Sequence, residues 1–196
     1  MKAPTQMTTV EDSTKLGPGQ RALIVIGIAA VVGIAVWLLT GKDNDSTSST
    51  FAADGSSNAR VVSEGDLASI PDQMEHPVFW AGKRADTDFE VSNDATGNVH
   101  LRYLPAGSSA GAQGNYLDIG SYPFTGAYDA TKQLAKQSGV IKVKAAGNAI
   151  GFVQKNNPYS VILSYPSHPD LQVEVYNPQK NAALTVVKQG DIVALP

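Results

Sequence analysis

Residues 99–105 read VHLRYLP and residues 160–166 read SVILSYP. Each is a short run rich in apolar side chains that ends at proline, the pattern of a strand that stops where the ring removes a donor. Leu101-x-Tyr103 in the first matches Leu163-x-Tyr165 in the second. The correspondence extends outward. VHLRYLP is followed by a loop, YLDIGSYP, a helical stretch and KQSGVIKV; SVILSYP is followed by a shorter loop, LQVEVYNP, a helical stretch and KQGDIVAL. Strands are expected at Thr87–Ser92, Val99–Leu104, Tyr116–Tyr122, Val140–Ala145, Ala149–Gln154, Tyr159–Tyr165 and Leu171–Tyr176. Helices are expected at Thr125–Ser138 and Gln179–Gln189, each stopped by glycine. Ile192–Leu195 is expected to close the sheet. The fold class is therefore α+β: an antiparallel-sheet domain with two helices, laid out as two pseudo-symmetric β-β-β-α-β halves. A duplication predicts the halves side by side with both helices on one sheet face. Shared grammar is the alternative, since strands ending at Tyr-Pro and helices ending at Gly are common.

Before this domain the grammar differs. Ala22 to Leu39 is an 18-residue run without a charge. As a helix it spans about 27 Å, close to the roughly 30 Å hydrocarbon core, and an all-apolar helix of this kind calls for lipid as its solvent. Trp37 sits near one end, where an interfacial ring is favourable. A cleaved export signal would have a shorter core and a small-residue site directly after it. Lys2, Lys15 and Arg21 precede the run, and only Lys42 follows before Arg60. Positive charge stays in the cytoplasm, so the chain reads as a single-pass protein of the cell membrane, contacting lipid through residues 22–39, with its N-terminus cytoplasmic.

Four segments follow: 1–20, a short cytoplasmic tail; 21–40, the transmembrane helix; 41–58, a Ser/Thr-rich flexible linker reaching about 20–25 Å; and 59–196, the extracytoplasmic α+β domain. Gly27, Ala29 and Gly33 form a small-residue notch, a candidate helix–helix contact through which two copies would form a homodimer. The motifs PVFWAG, NVHLRYLP and QVEVYNP, spanning roughly residues 76–180, resemble those of uncharacterised single-pass membrane proteins of high-GC Gram-positive bacteria. That resemblance implies the topology and an envelope location, and carries no activity with it.

Chemistry is sparsely signalled. The chain has no cysteine, which removes thiolate metal sites and thiol nucleophiles. His76, His100 and His168 show no metal-ligand spacing. Ser167, His168 and Asp170 contain the residue types of a hydrolytic triad, but close neighbours in a Pro-containing turn suit turn chemistry. Asp86, Asp88 and Glu90 alternate, so they share one strand face; with Asp94 and Asn98 they could offer oxygens to calcium, but a solvated face is the plainer reading. Gly107, Gly111 and Gly114 precede a strand rather than a helix, which makes a flexible loop and not a phosphate cradle. Residues 59–196 carry 11 Lys and Arg against 13 Asp and Glu, a net of −2, so nucleic acid is not an expected partner. Lys132, Lys136, Lys142 and Lys144 read as a solvated helix-and-strand edge.

No catalytic, metal or cofactor residue is assigned and no cofactor is expected. The reading is a membrane-anchored, non-catalytic binding or adaptor domain of the cell envelope. Its partner would be another envelope protein or a glycan. Gly107, Gly111, Gly114, Tyr103 and Tyr165 form the candidate interaction surface. A ligand- or glycan-binding sensor is the alternative, and an envelope hydrolase ranks third. A histidine beside a carboxylate in a pocket would favour chemistry, and a groove rimmed by tyrosines would favour a glycan.

Overall fold

The computed structural model describes residues 58–196. The tail, the apolar run, the notch at Gly27, Ala29 and Gly33, and nearly all of the linker lie outside the described residues. Among the described residues no helix is long and apolar enough to cross a membrane.

Strands β1 (Arg60–Val62), β3 (Thr87–Asn93), β4 (Val99–Pro105), β5 (Leu117–Pro123), β6 (Val140–Lys144), β7 (Ile150–Gln154), β8 (Asn157–Tyr165) and β9 (His168–Tyr176) form one antiparallel sheet. Their order is β1-β3-β4-β5-β9-β8-β7-β6. Two meanders, β3-β4-β5 and β7-β8-β9, meet at the central β5–β9 pair, where Ile119 faces Val175. Strands β2 (Phe79–Trp80) and β10 (Val193–Ala194) pair separately as a small second sheet. The C-terminal segment therefore does not close the main sheet, as its apolar pattern suggested. It packs over it, with the Leu195 N–H donating to the Val78 carbonyl.

Three helices accompany the strands: α1 (Glu64–Leu67), α2 (Ala127–Leu134) and α3 (Ala182–Gln189). In α1 the Asp66 carboxylate accepts from the Ser63 N–H and hydroxyl, at 3.3 and 2.6 Å, which satisfies a donor that a helix start leaves orphaned. Helix α2 is shorter than its pattern. After Leu134 the chain tightens into three-residue turns, Lys136 N–H to Gln133 O and Gln137 N–H to Leu134 O. Its start is docked on the sheet: Gly126, at φ 75°, donates its N–H to the Asp170 carboxylate at 2.7 Å.

The two longer helices do not share a face. Along β8 and β9, residues 161–165 and 171–175 are all buried, so both sides of these strands are covered. Thr131 of α2 meets Ser164 through their hydroxyls at 2.8 Å, placing α2 on the face of Ile162 and Ser164. Ala183, Val186 and Val187 of α3 join the core with Val161, Leu163, Val173 and Val175, which point the opposite way. The expectation of both helices on one face is corrected: they sandwich the second half.

The first half is covered on one side only by the main core. Phe89, Val91, Val99, Leu101, Leu117 and Ile119 pack under Leu67, Ile70, Val78, Phe79 and Leu195. The other side of β3, β4 and β5 carries Glu90, His100, Arg102 and Asp118, with no helix of the described residues over it, and there the polar chemistry collects.

Candidate functional site

His100, Gly120 and Glu174 lie in one row across β4, β5 and β9. Asp118 and Tyr122 flank Gly120 on the same face, by strand alternation. Gly120 matters because it has no side chain: a Cβ there would collide with the Tyr122 hydroxyl and ring. The Tyr122 ring thus folds back over the glycine and donates its hydroxyl to Glu174 Oε2 at 3.1 Å. His100 packs its ring edge on Tyr122, centroids 5.5 Å apart. Its Nδ1–H donates to Asp118 Oδ2 at 3.0 Å. The His100 and Asp118 side chains are 18% and 12% exposed, so the pair is reachable from one side and otherwise enclosed. Asp118 Oδ1 is buried and has no hydrogen-bond partner among the described residues.

These surroundings shift proton affinities. Burial opposes charge on His100, but Asp118, Glu174 and Asp94 together outweigh it and raise its pKa. Burial raises the Glu174 carboxyl, with nearby Asp118 adding to it against hydrogen bonds from Ser160 and Tyr122. Burial likewise holds the Tyr122 phenol protonated, well above its ordinary range. The arrangement can take up a proton, release one, and accept hydrogen bonds from a polar ligand.

Beside this strip, the loop after β4 is pinned rather than loose. Arg102 donates to Glu90 Oε1 at 2.6 Å and to the Ala112 carbonyl at 2.8 Å. Its guanidinium lies 5.0 Å from the centre of the Tyr116 ring. The second Glu90 oxygen accepts from the Gly111 N–H, and Asp88 Oδ2 accepts from the Gly107 N–H at 2.7 Å. Glu90 is only 3% exposed. Asp86 is exposed, as a solvated face predicts, but the expectation is corrected at Glu90: a paired, buried carboxylate holds the loop backbone. Gly107 and Gly111 therefore serve the loop through their N–H groups, with the positions themselves exposed. Gly114 sits against the Tyr116 ring.

The two tyrosines expected at the surface are core residues. Tyr103 lies under Phe89, and its hydroxyl accepts from Ala81 N–H at 2.6 Å and donates to Gly82 O. Tyr165 stacks on Phe79 at 4.6 Å and donates to Ile192 O. Burial raises both phenols. The Leu-x-Tyr match between the halves is a core match, with Leu101, Tyr103, Leu163 and Tyr165 all facing the larger core.

The remaining candidates separate. Asp94 Oδ1 is used within its own turn by Thr96 and Asn98. Among the described residues no three His, Asp or Glu side chains gather as a metal would need. Asp170 docks α2, and His168 sets its ring edge against Phe79. His76 faces two carbonyl oxygens, Pro77 O and Gly97 O.

Asp118, Glu174, Glu90 and Arg102 were not read as a group from sequence. The signal was there in part. Each sits between apolar neighbours in a strand, at the alternate position that the core side leaves over. What the sequence did not show was the β5–β9 pairing that brings Glu174 next to Gly120. No protein-family model, no curated protein and no solved structure matches this chain.

Proposed function

We infer that this is a single-pass membrane protein of the cell envelope, its N-terminus cytoplasmic, related to the high-GC Gram-positive proteins it resembles. Its 59–196 domain acts outside the membrane as a non-catalytic binding or adaptor module. The run 22–39 and the charge asymmetry around it support the anchor. The notch at Gly27, Ala29 and Gly33 would pair two copies in the membrane. Mirror-like meanders around β5–β9 support a duplicated unit whose two helices have parted to opposite faces.

One observation carries the binding reading. An eleven-residue loop, 106–116, is built largely of Gly, Ala and Ser, yet buried Glu90 and paired Arg102 hold its backbone. Ordering such a segment costs entropy, and a shape ordered in advance reduces what association must supply. The partner is another envelope protein meeting the loop and the adjoining His100–Asp118 strip. A photo-crosslinker at exposed Ser109 in the full-length chain, in its native membrane, tests this. The expected result is one discrete protein adduct, lost when Glu90→Ala releases the loop and absent from a probe at Lys188. No adduct at Ser109, or the same adducts from Lys188, would overturn it.

A second reading, a sensor for a small polar ligand, is favoured by the partly exposed His100–Asp118 pair with Glu174 behind it. Its signature would be ligand-induced shifts of the His100 ring resonances without any protein adduct at Ser109.

A further inference from the structure

The two edges of the main sheet differ in a way that the loop reading does not use. At one edge β1 is three residues long, and the chain enters there from the linker. At the other edge β6 presents five residues, VIKVK, and no described strand pairs with its outer side. Seven strand spacings separate the two edges, roughly 34 Å at about 4.8 Å each.

Charge is unevenly shared along the same axis. From residue 125 to 160 there are five lysines, Lys132, Lys136, Lys142, Lys144 and Lys155, and one carboxylate, Asp129. All five lysines are exposed. The described ion pairs are Lys83–Glu64, His100–Asp118 and Arg102–Glu90, so none of the five is neutralised by an acid of the domain. They gather around β6. Lys142 and Lys144 alternate on it, on the face that carries α2; Lys132 and Lys136 lie on and just after α2, which leads into it; and the Lys155 N–H donates to the Gly139 carbonyl at its start. On the opposite face of β6, Ile141 is 47% exposed beside its register partner Val153.

Lysines along an edge also guard against edge-to-edge pairing. Against a second copy the guard holds, since antiparallel self-pairing would set the Lys142 and Lys144 pairs against each other. It fails against one class of partner. A strand with carboxylates at alternate positions would place them beside Lys142 and Lys144, its intervening apolar residue beside Val143, and the apolar residue flanking the pair beside Ile141. We propose that the outer edge of β6 is a docking strand for an extended acidic segment of a partner protein, which joins the sheet by strand addition with acidic and apolar side chains alternating.

The experiment uses the full-length chain in detergent micelles and an end-blocked eight-residue peptide alternating glutamate with valine. Controls are a peptide of the same composition with its glutamates grouped together, and vesicles containing an anionic phospholipid. The expected result has three parts. The alternating peptide binds saturably, it slows amide exchange within 140–144 but not in β1, and Lys142→Gln with Lys144→Gln weakens it about tenfold. Absence of binding would overturn the proposal. So would equal binding of the grouped peptide without slowed exchange, which would mean charge attraction alone. Capture by the vesicles that removes peptide binding would assign the lysines to a lipid surface instead. Unchanged exchange at residues 160–165 in the glutamine variant reports that its sheet is intact. The Ser109 adduct, carried by the other half, should be unaffected by that variant, so this proposal and the loop reading fail separately.

Discussion

The two halves of the sheet are written in the same grammar and finished differently. In β8 and β9 both faces are closed by helices; on the α2 face β8 carries the small or apolar Ile162 and Ser164, and β9 carries the buried Gln172 and Glu174. In β3, β4 and β5 one face is covered by no helix of the described residues, and the corresponding positions carry Glu90, His100, Arg102 and Asp118. The difference teaches that covering, not strand pattern, decides where chemistry can sit. A helix on the second half takes the place that a pinned loop and a charged strip occupy on the first.

If that contrast holds, the halves should respond differently to substitution. Glu90→Ala should cost the most, about 3–5 kcal/mol by denaturant titration, because it strands the Arg102 guanidinium and the Gly111 N–H together. A loss below about 1 kcal/mol would mean that water can replace the pair.

Two glycines sharpen the comparison. In the second half, a Cβ on Gly151 would meet the backbone carbonyl of Ile162, which cannot swing away; in the first, a Cβ on Gly120 would meet the Tyr122 side chain. Gly151→Ala should destabilise by about 3 kcal/mol and Gly120→Ala by about 1–2 kcal/mol. Only the second should also disturb the pH response. Equal costs would mean that the Tyr122 ring is held as rigidly as backbone.

That pH response comes from the first half and its junction with β9. His100 binds its proton more tightly folded than unfolded. Its contribution is present in full below its ordinary value near 6.5 and is lost as pH rises through the folded value. Glu174 is also raised, by burial, so its ionisation erodes stability as pH climbs from 4.5 through its folded value. Both act in one direction: thermal melts should show the domain more stable at mildly acidic pH than at alkaline pH. Glu174→Gln should flatten the acidic part of that slope and His100→Gln the part nearer neutrality. A profile that instead rises steadily with pH would contradict the assignment.

The smallest effect belongs to the covered half. Thr131→Val removes the hydroxyl that meets Ser164, while Ser164 keeps the Ala127 carbonyl as acceptor. About 1 kcal/mol is expected.

Strand positions were legible because alternation and Pro or Gly punctuation are local. β3, β4, β6, β7, β8 and β9 begin and end within two or three residues of the expected bounds. Partnership was not legible, because it depends on contacts far apart in sequence. Ile192–Leu195 reads as one more strand of the sheet, but only the fold shows that Phe79–Trp80 claims it. The helix faces escaped for the same reason: β8 and β9 are apolar on both sides, which says that both sides are covered but not by what. Tyr103 and Tyr165 misled because a tyrosine suits a groove or a core equally well, and their hydroxyls reach distant carbonyls. Glu90 misled because alternating acids suggest solvent until an arginine on the next strand is seen opposite: Glu90 and Arg102 are register partners.

Amide hydrogen exchange across residues 106–116 in the unmodified chain is the most direct test of the pinned loop. The Gly107 and Gly111 N–H groups, held by Asp88 and Glu90, should exchange markedly more slowly than that of Ala110 between them. Uniform exchange at the rate of an unstructured peptide would contradict the account, because the loop would then have no fixed shape to present.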